Sequence, residues 1–249
     1  MITIKDKNAI RAMIKGGSIA AFVLSQIEKQ AKPSVKTIEL DQIARRIIAA
    51  RGAEPAFLNY NGFPGATCIS INDEVVHGIP GQRKLKKGDL VKIDLGVKFD
   101  GYNTDTAKSF VVGKPNNDQQ NIISGVLEAL NKTIQIAKDG VYVGDLENMT
   151  GTVLKSYNLS PVMQLSGHGI GEKLHEDPSI KSDGITGKGS ILKEGMALAI
   201  EPMATSGMRK VYTAKDGWTI LSQDGSLAAH FEHTILITKG RAKILTQLR

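Results

Sequence analysis

The chain has 249 residues, 41% of them hydrophobic, a single cysteine and a formal net charge of +7. That length buries a substantial core as one domain over residues 1–249, and a lone Cys68 excludes an internal disulfide framework and suits a reducing, cytoplasmic compartment. Scattered Lys and Arg residues and 5% aromatics argue against a base-stacking or specific DNA-binding surface, while contact with an acidic partner such as ribosomal RNA stays open.

Residues 1–17 carry Lys5, Asp6, Lys7, Arg11 and Lys15 among apolar positions. No signal peptide is expected there, and no run elsewhere approaches a membrane span. Ile10, Met13, Ile14, Gly17, Ala21, Leu24 and Ile27 recur at three- and four-residue steps and predict a helix over about residues 7–31. A second helix is expected over about 38–51. Strand-like runs follow at 66–72, 89–99 and 104–112, the last two joined by Phe99-Asp100-Gly101-Tyr102, a hairpin signal. Between the first two lies the densest basic cluster, Arg83, Lys84, Lys86 and Lys87, read as an exposed loop. A third helix follows Pro115, with Gly140 as its expected C-terminal cap. A fourth covers about 145–157, and strands are expected at 196–201 and 231–239. Helix pairs alternating with hairpins indicate an α/β or α+β domain with a largely antiparallel sheet.

A weak internal duplication runs through this order. Leu85-Lys86-Lys87-Gly88-Asp89-Leu90-Val91-Lys92-Ile93-Asp94 aligns without gaps on Leu192-Lys193-Glu194-Gly195-Met196-Ala197-Leu198-Ala199-Ile200-Glu201. A His-Gly-Ile stands upstream of each copy, at His77 and His168. Downstream of each, a strand carries a second acid, Asp105 or Glu232. Two such halves facing each other would bring their equivalent acids together at a shared seam.

Strand alternation puts each acid among small neighbours. Asp94 shares a face with Gly96, opposite Ile93 and Leu95. Asp105 sides with Ala107 and Ser109, Glu201 with Ala197 and Ala199, and Glu232 with Thr234. Taken singly, each acid would be a solvated residue on an exposed face. Glu201 and Glu232, however, sit in strands too apolar for exposure. Buried carboxylates are costly unless paired or metal-bound, so either some of the four are protonated or cations neutralise them, divalent metals being the economical solution. All five histidines, His77, His168, His175, His230 and His233, fall in glycine-rich turns or beside Glu232. His168, in Ser166-Gly167-His168-Gly169-Ile170-Gly171, has small neighbours that let its ring approach a metal. This oxygen-rich set suits Mn, Fe(II), Co or Zn, and acids able to bridge make a two-metal centre natural. The residue chemistry reaches a binuclear hydrolase without choosing its substrate.

At these residues the sequence resembles the type I methionine aminopeptidases of the pita-bread fold, over nearly the whole chain. The likeness is densest in Cys68-Ile69-Ser70-Ile71-Asn72, His77-Gly78-Ile79-Pro80, Ile93-Asp94, Thr104-Asp105-Thr106, Gly167 to Gly171, Leu174-His175-Glu176, Ile200-Glu201-Pro202-Met203 and Phe231-Glu232-His233-Thr234. It implies pseudo-twofold halves, with a central antiparallel sheet covered by helices, forming a single catalytic domain. It also implies two divalent ions, bridged by Asp105 and Glu232, with Asp94 chelating one and His168 with Glu201 completing the other. A bridging water would attack the scissile carbonyl with Glu201 as proton shuttle. His175 would hydrogen-bond the scissile peptide, and His77 would be the second catalytic histidine. Tyr60, Phe63, Cys68, Leu174 and Trp218, with Phe57 adjoining, would line a methionine pocket. The implied partners are nascent polypeptide N-termini with small second residues, with possible transient ribosome contact, no membrane and a monomeric state.

Phe63 stands where many relatives carry tyrosine, Leu174 where others have phenylalanine, and Phe57 where some have a small residue. These departures bear on pocket volume, not on metal chemistry. The interval from Glu201 to Glu232 is too short for the helical insertion of the type II branch, and no Cys/His-rich extension is expected before the first helix. Two alternatives stay open. One is a proline-directed peptidase of the same fold, whose usual extra N-terminal domain is not expected here. The other is a non-catalytic ribosome-docking relative, although such relatives tend to lose metal ligands.

Overall fold

The structure is a computed structural model that describes residues 2–248. Four helices form where the sequence predicts them: α1 (Lys7–Gln30), α2 (Thr37–Ala49), α3 (Asn117–Ile136) and α4 (Val143–Ser156). Asp6 caps α1 by accepting a hydrogen bond from the Ala9 N–H at 2.8 Å, and Asn116 with Gln119 forms a capping box on α3. Gly140 does not cap α3. That helix stops at Ile136 with Ala137 as its C-cap, and Gly140, at φ +85°, lies in the turn toward α4.

Seven strands carry the main sheet: β1 (Cys68–Ile71), β2 (Leu90–Phe99), β3 (Tyr102–Val111), β4 (Ser166–Gly169), β5 (Glu176–Lys181), β6 (Ala197–Ile200) and β7 (Glu232–Leu236). Their order is β2-β3-β7-β6-β4-β5, with β1 on β2 and the two-residue strands Glu54–Pro55 and Lys243–Ile244 completing nine. Every pairing is antiparallel. The β2–β3 hairpin turns at Asp100 and Gly101, both at positive φ as a tight primed turn needs.

The two sequence copies become two halves that meet between β3 and β7. Ile93 and Leu95 point into a core shared with α1 and α2. Leu198, Ile200, Phe231 and Ile235 point into a second core with α3 and α4. By length and composition α1 could cross a membrane, which the sequence reading did not anticipate, but its apolar stripe is buried in the fold. Gly17 lets α1 approach closely: a Cβ there would stand 2.5 Å from the Leu245 carbonyl oxygen. Inside α2, buried Asp41 accepts the N–H groups of Ala66 and Thr67 at 2.8 and 2.9 Å, which fixes the entry to β1.

One part of the duplication does not carry over. His168 lies on β4, paired with β6, and not in a glycine-rich turn. His77 lies outside the main sheet, just after the short strand Glu74–Val76, in a left-handed conformation at φ +59°. The two His-Gly-Ile triplets are therefore not structural equivalents; β1, paired with β2, occupies the place that β4 holds beside β6.

Side chains stitch the seam where the halves join. The Thr234 hydroxyl accepts from the Asp105 N–H and donates to the Asp105 carbonyl, both at 2.8 Å. Thr106 donates to the Glu232 carbonyl at 2.9 Å. These threonines lock the register that aligns acids from opposite halves. Thr234→Val keeps the shape but leaves both Asp105 backbone groups buried and unpaired. Urea unfolding should show a stability loss of about 1–3 kcal/mol, the penalty of unsatisfied buried groups; an unchanged midpoint would refute this account of the seam.

Candidate metal centre

Register brings the acids together. Cys68 stands opposite Asp94, Asp94 opposite Ala107, and Ala107 opposite Glu232, one row across β1, β2, β3 and β7. Asp105 lies two residues along, opposite Gly96. His233 pairs with Ile200, so the next step places Glu232 beside Glu201. Residues in one row share a face, and Ala107, with only a methyl group, leaves the middle of the row open.

Side-chain positions agree with the row. Ligand atoms of Asp105, His168 and Glu232 lie within 4.8 Å of one another, and so do those of Glu201, His230 and Glu232. The two groups share Glu232. Asp94 falls outside both, yet the charges of Asp105 and Glu201 act on its carboxyl. His168 Nδ1 lies 2.9 Å from the Gly169 carbonyl. It must donate there, which leaves the Nε2 lone pair facing Glu201 Oε1 at 3.3 Å. Gly167 allows this approach, because a Cβ there would stand 2.5 Å from the Ala199 carbonyl oxygen and 3.4 Å from Glu201 Cγ.

Burial, with the neighbouring charges second, pushes Asp94, Glu201 and Glu232 well above the usual carboxylate range. Burial also takes Asp105 up to about 7, partly offset by hydrogen bonds from Asp94 and the Thr106 N–H. The histidines move the other way. Burial pulls His168 down to about 3 and His77 to about 4, and lowers His175. The site thus combines acids that resist ionisation with imidazoles that resist protonation. Glu232 Oε1 and Asp94 Oδ1 are buried without a hydrogen-bond partner. Unpaired acceptors facing neutral imidazole nitrogens are what a cation requires, so the residues fit divalent metal ions.

A cavity of about 210 Å³ opens beside the acids, and every residue expected for the site lines it: Asp94, Asp105, His168, Glu201 and Glu232, His77 and His175, and Phe57, Tyr60, Phe63, Cys68, Leu174 and Trp218. Phe63 and Trp218 meet edge-on with centroids 5.2 Å apart. Phe57 packs where Gly96 has no side chain; a Cβ there would lie 2.8 Å from the Phe57 ring. Burial, followed by the charges of Asp94 and Asp105, pushes the Cys68 thiol well up, so Cys68 is an apolar wall and not a nucleophile. A wider groove of about 700 Å³ adjoins, sharing His77, Asp94, His168, His175 and Glu201 with the inner cavity and adding polar residues such as Gln164, Ser166, Glu172 and Ser179.

Two features escaped the sequence reading. Tyr60 is more than wall: its hydroxyl lies 2.9 Å from His175 Nδ1 and orients that ring. His230 joins the acid cluster, whereas its near neighbour His233 bonds Thr246 at 3.0 Å. The alternation about Glu232 offered a clue to His230, but sequence cannot say which side chains reach across a seam.

Buried acids, neutral imidazoles and an adjoining apolar pocket on a two-half sheet define a metal-dependent peptidase. The chain belongs to metallopeptidase family M24, whose model matches residues 11–239, and it has the pita-bread arrangement expected. It is 44% identical to "Methionine aminopeptidase 1" of Bacillus subtilis, over 100% of both chains. The crystal structure of methionine aminopeptidase from Thermotoga maritima superposes with a TM-score of 0.98 at 38% identity, covering 99% of this chain and 100% of that one. The prolidase of Pyrococcus furiosus gives a TM-score of 0.80 at 28% identity, with 99% of this chain covering 66% of that one.

Proton linkage gives a test. Asp105, raised from 3.8 to about 7, binds more protons folded than unfolded. Its contribution to the metal-free fold is fully present below pH 3.8 and is lost as pH rises through about 7. Metal binding must displace those protons. The rise in Tm on adding Mn(II) to chelator-treated protein should therefore be larger at pH 8 than at pH 5. Equal increments at both pH values would contradict the assigned burial of the acids.

Proposed function

We propose that this chain removes the N-terminal methionine from nascent proteins and peptides, with two divalent ions (Mn, Fe(II), Co or Zn) held by Asp94, Asp105, His168, Glu201 and Glu232. The observation that carries this reading is the shared cavity: the apolar pocket and all five acid and imidazole positions line one space. Two bound ions supply a water acidic enough to act near neutral pH and charge to polarise the scissile carbonyl. At about 210 Å³ the pocket is smaller than the roughly 300–1,000 Å³ typical of small-molecule sites, and it suits one side chain. Phe57, Tyr60, Phe63, Cys68, Leu174 and Trp218 offer a mostly apolar wall to a flexible, polarizable thioether.

The remaining steps belong to the chain's own groups. Glu201, at the junction of pocket and groove, takes the proton from the attacking water and passes it to the leaving amine. His175 is held by Tyr60 at Nδ1, and with the Tyr60 hydroxyl donating it presents Nε2–H to the carbonyl oxygen as negative charge develops there. His77 faces the same junction. The rest of the peptide leaves along the wider groove. The second residue then sits among His77, His168, His175 and Glu201, and the likeness to methionine aminopeptidases favours a small side chain there.

Two assays test this. Met-Ala-Ser should be cleaved much faster than Met-Lys or Met-Phe peptides and than Xaa-Pro peptides; cleavage of the proline peptide alone would shift the assignment to a proline-directed peptidase. Glu201→Gln, with its fold checked by circular dichroism and its metal content by elemental analysis, should lose about 100–10,000-fold in kcat. Near-normal turnover would remove Glu201 from the proton-transfer role.

A further inference from the structure

His230 ends the short strand Ala228–His230 and is 1% exposed. Its backbone is clamped by one side chain, since Ser109 Oγ donates to the His230 carbonyl at 2.7 Å and accepts from its N–H at 2.9 Å. The ring is thereby fixed on the acid side of the sheet. Neither of its nitrogens has a hydrogen-bond partner. Nε2 lies 3.6 Å from Glu201 Oε2 and 3.9 Å from Glu232 Oε2.

Those separations are too long for hydrogen bonds. They suit two groups that share a cation. With nitrogen and oxygen ligands each about 2.0–2.2 Å from the ion, ligands at ordinary coordination angles stand roughly 3–4 Å apart. His168 Nε2 and Glu201 Oε1, at 3.3 Å, show the same spacing. A histidine kept only for packing would have at least one ring nitrogen satisfied, as His233 does through Thr246. A buried imidazole with two idle nitrogens, one facing two carboxylates, is left without a purpose unless something sits between them.

We propose that His230 is a further ligand of the ion held by Glu201 and Glu232, a sixth protein ligand beside the five assigned above. This rests on the reading that cations occupy the acid cluster. A second imidazole makes the set richer in nitrogen and moves its preference toward Zn, Co or Fe(II) and away from Mg.

The test uses the full chain, uniformly labelled with 15N-histidine and loaded with Mn(II), read by pulsed EPR. Wild type should show two coupled imidazole nitrogens, from His168 and His230, and His230→Gln only one. Mn(II) should bind His230→Gln at least about 10-fold more weakly by calorimetry, with the circular dichroism spectrum retained. A purely structural role would leave the nitrogen coupling of folded protein unchanged. One coupled nitrogen in both proteins, or equal Mn(II) affinity, overturns the assignment while leaving the enzyme reading intact. If His230→Gln fails to fold, His230→Asn replaces it; should both fail, the wild-type count decides, two nitrogens supporting the proposal and one overturning it. A wild type that takes up no Mn(II) overturns both this assignment and the metal-dependent function.

Discussion

Four carboxyl groups held out of water on one face of a sheet impose the constraint that the rest of the structure serves. Asp94, Asp105, Glu201 and Glu232 repel one another, and burial alone raises each of them. Left to relax, such groups would swing toward solvent or spread the strands apart. Rigidity opposes this from two sides. On the opposite face, Ile93 and Leu95 anchor one half under α1 and α2, while Leu198, Ile200 and Ile235 anchor the other under α3 and α4. Along the seam, Thr106, Ser109 and Thr234 use their hydroxyls to bind backbone across β3 and its neighbours. The cores hold the strands in place, and the hydroxyls hold their register. A one-residue slip would turn every acid to the wrong face.

Small residues then decide what fits between the acids. Ala107 stands between Asp94 and Glu232 in the cross-strand row, and any larger side chain would fill the space a cation needs. Gly167 lets the neighbouring strand bring His168 up to Glu201, and Gly96 makes room for Phe57 at the pocket wall. The acids stand on this sheet face and the loops carrying Phe57, Tyr60, Phe63, Leu174 and Trp218 wall its apolar side, so a single cavity contains both.

Much of this was legible in the sequence because it obeys short periods. The first helix announced itself by apolar spacing, the β2–β3 hairpin by Asp100-Gly101, and the acids by alternation against Ile93, Leu95, Ile200 and Phe231. What escaped notice lay in pieces too short or too glycine-rich to show a period. β4 has four residues, two of them glycine, so His168 looked like part of a turn. The repeated His-Gly-Ile suggested equivalent loops, yet one triplet opens a left-handed bend and the other ends in a strand pairing. The α3 boundary was misplaced for a related reason. Gly140 does adopt the left-handed conformation that a cap requires, but the chain had already left the helix at Ala137. His230 and the Tyr60–His175 contact lay beyond sequence reasoning altogether, since both depend on side chains meeting across segments far apart in the chain.

The two cavities give the site a direction. The inner one, about 210 Å³, sets Phe57, Tyr60, Phe63, Leu174 and Trp218 against the acids; the outer one, about 700 Å³, combines Gln164, Ser166, Glu172, Lys173 and Ser179 with Val76, Leu165 and Met203. A single apolar side chain gains most by leaving water for the inner space, whereas an extended backbone, with its hydrogen-bonding groups, is better matched to the wider groove, where Gln164, Ser166 and Ser179 offer partners. A peptide bound in both must run from one to the other past His77, His168, His175 and Glu201, the residues the two cavities share along with Asp94. On the proposed function, the bond lying over the acids is then the one following the first residue. Position along the peptide is set by how much fits in the pocket, so cutting a single residue from the end follows from cavity size as much as from the chemistry of the metal centre.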